Sequence, residues 1–189
     1  MRFKDLLAAT AALSTLCLVT SCGDSSLGSG VGEGKTVNVT AQAADSYKEF
    51  DVITGNTCST TGSTGGTIAT EFVNVDVASA QQISTGKALD VRVNSATISY
   101  TPASSTSPPI QNQYVAIGTT LPAGGSISIP IPVALREVKL DLMNKGLLPC
   151  STTIYKYHVT VSFEAVEIGT GSTMYPTANM TASFADVSG

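Results

Sequence analysis

The stretch TIYKYHVTVSFEAVEIG, residues 153–169, decides the fold because its apolar and polar side chains alternate almost without interruption. Successive side chains of a β-strand point to opposite faces of a sheet, so a period of two predicts a strand with one buried face. The face predicted to be buried carries Tyr155, Tyr157, Val159, Val161 and Phe163. The opposite face, predicted to meet solvent, carries Lys156, His158, Thr160, Ser162 and Glu164.

The same alternation continues on both sides of this stretch. After a turn at residues 169–172, a returning strand and a long C-terminal hairpin are predicted by Ala178, Met180, Ala182 and Phe184. Upstream strands are predicted at residues 36–44, 67–80, 88–102, 113–118 and 126–135, and around Phe50 and Val52. About eight strands separated by turns predict an all-β chain folded as a single two-sheet antiparallel β-sandwich.

Two of these strands carry further information. In residues 88–102 the apolar positions change from odd to even numbers near Asn94 and Ser95, which predicts a β-bulge or a bend between sheets. Proline has no N–H to donate to a β-ladder, so Pro130 and Pro132 predict that their strand lies at a sheet edge. Prolines at an edge also discourage pairing between different molecules.

Other segments predict loops or leave their structure open. Residues 59–66, STTGSTGG, contain no apolar side chain and are predicted to form a loop, as are residues 102–112. Within residues 134–146, Val138 and Leu142 fit both the alternation of a strand and one face of a helix. For this segment we favour a strand end followed by a short helix or turn.

The N-terminus has the pattern of an export signal. Arg2 and Lys4 give it a positive start, and the apolar run at residues 6–19 is too short to cross a bilayer comfortably. The run ends in VTSC, residues 19–22, which resembles the lipobox of bacterial lipoproteins. The resemblance implies that residues 1–21 are a signal peptide and that Cys22 carries lipid. The alternative is an ordinary cleaved signal in which Cys22 stands by chance.

The segment after Cys22 is rich in glycine and serine, which predicts a flexible tether over residues 22–35 and a folded domain over residues 36–189. The lipid implies a membrane as partner, with the domain in the periplasm or on the cell surface. In lipoprotein sorting, an Asp directly after the cysteine retains the protein at the inner membrane. Gly23 takes that place here, which favours the outer membrane if the source is Gram-negative.

The cysteines outside the signal and the lipidation site form one pair. Cys17 lies in the predicted signal, which leaves Cys58 and Cys150 in an oxidising compartment and predicts a disulfide between them. A metal or redox pair is disfavoured because neither cysteine has CxxC spacing and the chain contains a single histidine. We therefore predict no metal site and no cofactor.

The strand count and the C-terminal hairpin are similar to those of immunoglobulin-like domains of bacterial surface and periplasmic proteins. The resemblance implies an immunoglobulin-like sandwich architecture but no particular family, because the chain has no tryptophan to match the core tryptophan of antibody domains.

Candidate catalytic and calcium-binding residues do not form a recognisable motif. His158 could be paired with Ser162 and Glu164, but all three lie side by side on one predicted strand face, whereas triad partners converge across a pocket. We therefore predict a surface histidine. The carboxylates match no calcium-loop motif, and Asp45, Glu49 and Asp51 are the first candidates for a calcium site built from loops.

These patterns together predict a non-catalytic, membrane-anchored lipoprotein, a structural or interaction module of the bacterial cell envelope with a possible envelope protein partner. The alternative is a carbohydrate- or calcium-binding β-sandwich module on the cell surface. Nucleic acid is excluded as a partner because the net charge is −4 and no cluster of Lys and Arg occurs.

Overall fold

The computed structural model of the chain describes residues 30–59, 62–82 and 86–186. This part of the chain contains twelve strands and one helix, so the predicted all-β class is confirmed. The elements are β1 (Val31–Glu33), β2 (Val37–Ala43), β3 (Tyr47–Asp51), β4 (Thr54–Ser59), β5 (Gly62–Thr67), β6 (Glu71–Gln81), β7 (Val91–Pro102), β8 (Gln113–Leu121), β9 (Ser126–Ala134), α1 (Arg136–Asn144), β10 (Tyr155–Glu167), β11 (Thr173–Met174) and β12 (Thr177–Ala185).

The larger sheet has the order β3-β12-β10-β7-β8, and β11 pairs with β10 beside this path. All of its pairs are antiparallel except β3 with β12, which run parallel. Strand β10 lies at the centre and contains most of the quoted stretch. The buried face of β10 is the predicted one, with Tyr155, Tyr157, Val159, Val161 and Phe163 all buried.

The second sheet has the order β1-β2-β6-β9, and all of its pairs are antiparallel. Its alternation is also as predicted, since Val73, Val75 and Val77 of β6 are buried. Strand β9 lies at the end of the sheet order, which confirms the edge position predicted from Pro130 and Pro132.

One hydrophobic core receives buried side chains from both of these sheets. Phe50 of β3 stacks on Phe184 of β12 with ring centroids 5.4 Å apart, and Tyr157 contacts Phe184 and Tyr100 edge-on. Burying a large apolar side chain stabilises a fold by about 1.5–3 kcal/mol. The aromatic side chains of β3, β7, β10 and β12 therefore contribute much of the packing of the larger sheet in the core.

The predicted irregularity near Asn94 is a β-bulge, since Val93 and Ser95 of β7 pair with the consecutive residues Ala165 and Glu164 of β10 and leave Asn94 without a counterpart. The pairing of β7 with β8 shifts register between Val93 and Ser95, whose partners are Thr119 and Ala116. Two residues of β8 therefore lie opposite the single residue Asn94. One of the two is Gly118, whose φ of +70° is a conformation that residues with a Cβ rarely adopt.

Residues 134–146 contain the end of β9 and the helix α1, in agreement with the strand end and short helix favoured above. Val138 and Leu142, one helical turn apart, are both buried. The helix ends in a Schellman motif in which Gly146 N–H donates to the Met143 carbonyl and Leu147 N–H to the Leu142 carbonyl. No helix in the described ranges is long and apolar enough to cross a membrane.

Two segments are more ordered than their composition predicted. The predicted loop at residues 59–66 was wrong: within its described residues, Ser59 ends β4 and 62–66 belong to β5, and the two strands pair as a hairpin. The end of the predicted tether, 30–35, contains β1, so the folded part begins before residue 36. Gly32 permits this because a Cβ there would lie only 2.9 Å from Pro176 Cδ.

The rest of the predicted N-terminal organisation lies outside the described residues. This applies to the signal peptide at residues 1–21, to the lipidated Cys22 and to residues 22–29 of the tether.

Candidate functional site

The predicted disulfide is present. Cys58 lies in β4 and Cys150 in the segment between α1 and β10, with an S–S distance of 2.08 Å. The bond fastens the β4–β5 hairpin to the region after the helix. Because it closes a loop of 92 positions, it also removes conformational freedom from the unfolded chain.

Asp186 completes the surroundings of this disulfide. Its buried carboxylate accepts hydrogen bonds from Asn56 Nδ2 at 2.9 and 3.1 Å and from the backbone N–H of Cys150. Within the described ranges, Cys58, Cys150 and Asp186 are the only three His, Cys, Asp or Glu side chains whose ligand atoms lie within 4.8 Å of one another. Metal ions bind cysteine as the thiolate, and the two sulfurs of a disulfide are not thiolates. The arrangement is therefore structural.

The residues considered for a catalytic triad remain apart. His158 is exposed on the outer face of β10, opposite Thr101 of β7 and Thr181 of β12. Ser162 lies four residues further along the same strand, about 13 Å away at the rise of a β-strand. Glu164 accepts a hydrogen bond from Ser95 at 3.4 Å. The three side chains share a face without converging on a common point.

The three carboxylates considered for calcium are not brought together either. Asp45 and Glu49 are exposed, and Glu49 accepts a hydrogen bond from the Tyr47 hydroxyl at 3.2 Å. Asp51 is half-buried at the end of β3, and its backbone carbonyl accepts a hydrogen bond from Lys139. Within the part of the chain that the structure describes, none of these three carboxylates belongs to a cluster of three metal-ligating side chains.

The tyrosines divide into a buried and an exposed set. Tyr155 and Tyr157 belong to the core, as predicted, together with Tyr100. The hydroxyls of Tyr100 and Tyr157 each donate to a backbone carbonyl at 2.7 Å. Burial raises the pKa of both above the ordinary value of 10, and nearby Tyr155 and Asp141 raise that of Tyr157 further. Buried phenols held in this way are structural.

A carboxylate that the sequence analysis did not single out fastens the N-terminal segment to the C-terminal hairpin. Glu167, fully buried at the end of β10, accepts hydrogen bonds from the backbone N–H groups of Lys35 and Thr36 at 3.2 and 2.7 Å. The hydroxyls of Thr36 and Thr170 also donate to it. The sequence could have indicated this burial, because Glu167 has an odd number, as do all the buried side chains of β10.

The pKa of Glu167 reflects this environment. Burial raises the pKa of the carboxyl, but the hydrogen bonds from Thr170, Thr36 and Lys35 outweigh it and hold the pKa below its ordinary value of 4.5. A lowered pKa in the folded state means that the charged form stabilises the fold. This stabilisation is present above pH 4.5 and is lost as the pH falls through the lower pKa of the folded state.

We expect Glu167→Gln to lower the free energy of unfolding by about 2 kcal/mol at neutral pH, because hydrogen bonds to a charged group are replaced by weaker ones. The difference from wild type should shrink below pH 4.5. Urea unfolding at several pH values measures both effects. Glu164→Gln, on the outer face of the same strand, is the matched control. A difference for Glu167→Gln that stays constant with pH would contradict this role.

An open cleft of about 260 Å³ lies between α1 and the segment that precedes β8. It is lined by Ile110, Gln111, Gln113, Glu137, Val138, Asp141 and Lys145. No pattern in the sequence predicted this cleft, because it forms only where residues 102–112, predicted as a loop, meet the helix α1. A larger cavity of about 340 Å³ lies between β8 and β9, but its only polar side chains are those of Thr119 and Ser128. The cleft beside α1, which is lined by five polar side chains, is therefore the candidate binding site.

Comparison with known proteins adds no family. No protein-family model matches the chain, and no curated protein shows significant similarity to its sequence.

Proposed function

We propose that this chain is a non-catalytic lipoprotein, anchored to a membrane through lipid on Cys22, that acts as a structural or interaction module of the bacterial cell envelope. The observation that carries the proposal is the sequence VTSC at residues 19–22, directly after an apolar run with a positive start. The triad candidates His158, Ser162 and Glu164 do not converge, which favours a non-catalytic role.

The attachment of the N-terminal segment supports this proposal. Gly30 exchanges two backbone hydrogen bonds with Thr177, at 2.9 and 3.1 Å, and Glu167 holds Lys35 and Thr36. These contacts fix the segment that leads towards Cys22 to the larger sheet, and the pairing of β1 with β2 fixes it to the second sheet. When a domain is held to a membrane through its N-terminus, force on the tether acts on its first strand. Hydrogen bonds that fix this strand to its neighbours keep it in place.

An immunoglobulin-like two-sheet sandwich is the finer fold that we propose. If β6, β7, β8, β9, β10 and β12 are lettered B, C, C′, E, F and G, then B pairs with E in one sheet and G-F-C-C′ follow in the other. At the start of β10 the Tyr155 hydroxyl donates to the Lys145 carbonyl at 3.3 Å, much as in a tyrosine corner. The disulfide departs from antibody domains, since it does not join B to F.

A second candidate function is a carbohydrate-binding module on the cell surface. The cleft beside α1 favours it, because polar side chains there surround a small cavity. Calcium is the other ligand considered for such a module. Its candidate ligands Asp45, Glu49 and Asp51 do not form a cluster of metal-ligating side chains within the described residues.

We expect cells that express the wild-type chain to incorporate labelled palmitate into it, and the labelled protein to enter the detergent phase on Triton X-114 partition. Cys22→Ala should abolish the label, because no thiol remains to take the lipid. Cys17→Ala is the matched control and should behave like wild type.

Two outcomes would contradict the lipid anchor. A wild-type chain without label would indicate an ordinary cleaved signal. Label that persists in Cys22→Ala would place the lipid elsewhere.

A further inference from the structure

The walls of the cleft beside α1 are fixed without any ligand. Lys145 Nζ donates to the Pro109 carbonyl at 2.8 Å and to the Asp141 carboxylate at 2.6 Å, so the helix end is joined to the facing loop. The Tyr157 hydroxyl holds the same loop through the Pro108 carbonyl at 2.7 Å. A site whose walls are already ordered loses little conformational entropy when a ligand binds.

The charges of the cleft exclude several kinds of ligand. Two carboxylates, Glu137 and Asp141, face one ammonium group, that of Lys145, so an anion such as phosphate is disfavoured. Lys145 is paired with Asp141 and lies in the same cleft, which disfavours a divalent cation. A purely apolar ligand would leave these charged groups without water. A monovalent organic cation and a neutral, strongly polar ligand remain, and the two glutamine amides, which donate as well as accept, favour the neutral ligand.

The hydrogen-bonding groups fit such a ligand. Within the described part of the chain, the Glu137 carboxylate has no hydrogen-bond or ion-pair partner, so it is free to accept from a hydroxyl. Gln111 can donate and accept through its amide. Gln113 Nε2 already donates to the Gln111 carbonyl at 2.9 Å, which leaves its amide one N–H and the oxygen for a ligand. Ile110 and Val138 belong to the core, and the 8% and 4% of their surface that remains exposed forms a small apolar floor beside these groups. Hydroxyls that both donate and accept, together with an apolar C–H face, are the chemistry of a sugar ring.

We infer that this cleft binds a single saccharide residue, with Glu137 and the glutamine amides exchanging hydrogen bonds with its hydroxyls above the small exposed parts of Ile110 and Val138. A volume of about 260 Å³ lies just below the usual range for small-molecule sites, which limits the ligand to about one ring of a glycan. This site rests on the second candidate function, a carbohydrate-binding module, and specifies its ligand, but it does not depend on the lipid anchor.

Saturation-transfer difference NMR on the full chain tests the inference, with glucose, mannose, galactose and N-acetylglucosamine as separate probes at millimolar concentration. At least one probe should show transfer. Glu137→Gln should weaken its binding by roughly tenfold, because a charge-assisted hydrogen bond is replaced by a neutral one. Gln113→Phe, which fills the cleft from an edge strand, should abolish transfer.

The matched control is Asp76→Asn, which removes the same charge from an exposed position on β6 in the other sheet, and it should bind like wild type. Melting temperatures of all variants show whether each is folded. Transfer from none of the four sugars, or transfer that survives in folded Gln113→Phe, would overturn the inference. Palmitate labelling at Cys22 does not involve these residues, so failure here leaves the anchor proposal standing.

Discussion

Replacing Cys58 and Cys150 together by serine should lower the free energy of unfolding by roughly 4 kcal/mol, which we expect to be the largest effect of any change discussed. In the chain-entropy model, a cross-link across a loop of 92 positions stabilises the fold by restricting the unfolded chain, and the effect grows with loop length. For a domain of this size, the melting temperature should fall by about 10 °C.

Urea unfolding followed by circular dichroism measures this effect, with the wild-type chain in oxidising buffer as reference. Dithiothreitol added to the wild type should lower its unfolding midpoint to that of the double serine variant. The same reductant should leave the variant unchanged, which is the control for other effects of the reagent. Equal midpoints for the wild type and the double variant under oxidising conditions would contradict a stabilising role for the bond.

The features that could be predicted from the sequence depend on neighbouring residues. Alternation in β10 identified its buried face because every second side chain enters the core, whichever strand lies beside it. Pro130 and Pro132 identified an edge because a missing N–H is a property of the residue itself. The shift of phase at Asn94 indicated a bulge for the same local reason.

The features that could not be predicted depend on residues far apart in the chain. Thr36 and Glu167 are 131 positions apart, and no spacing in the sequence pairs them. Strands β4 and β5 contain mainly Thr, Ser and Gly, so their hairpin depends on the disulfide and on Asn56 rather than on an apolar face. The cleft likewise needs α1 and the segment before β8 to meet.

Lys139 of α1 is a further long-range feature, and its removal should produce the second large loss of stability. Its side chain is completely buried, and Nζ donates to the Glu71 carboxylate and to the Asp51 carbonyl, both at 2.7 Å. Glu71 lies 68 positions away at the start of β6. The ammonium group therefore joins the helix to β3 and β6, one strand from each of the two large sheets.

We expect Lys139→Met to lower the free energy of unfolding by about 3 kcal/mol, at the lower end of the range for breaking a buried ion pair. The lower end applies because the Glu71 side chain remains 30% exposed and can be partly hydrated once its partner is lost. Urea unfolding measures the change. Lys145→Met is the matched control, because directly after the same helix it removes an ion pair and a bond to a backbone carbonyl, that of Pro109, in an exposed setting. It should cost about 1 kcal/mol.

The double variant Lys139→Met, Glu71→Leu separates two reasons for the loss. If an unpaired Glu71 carboxylate is the main cost, then removing it should restore most of the stability, since apolar replacements of buried ion pairs are often neutral. If the bond to the Asp51 carbonyl matters more, the double variant should stay as unstable as Lys139→Met, because that carbonyl still lacks its donor. A Lys139→Met variant as stable as Lys145→Met would contradict both explanations.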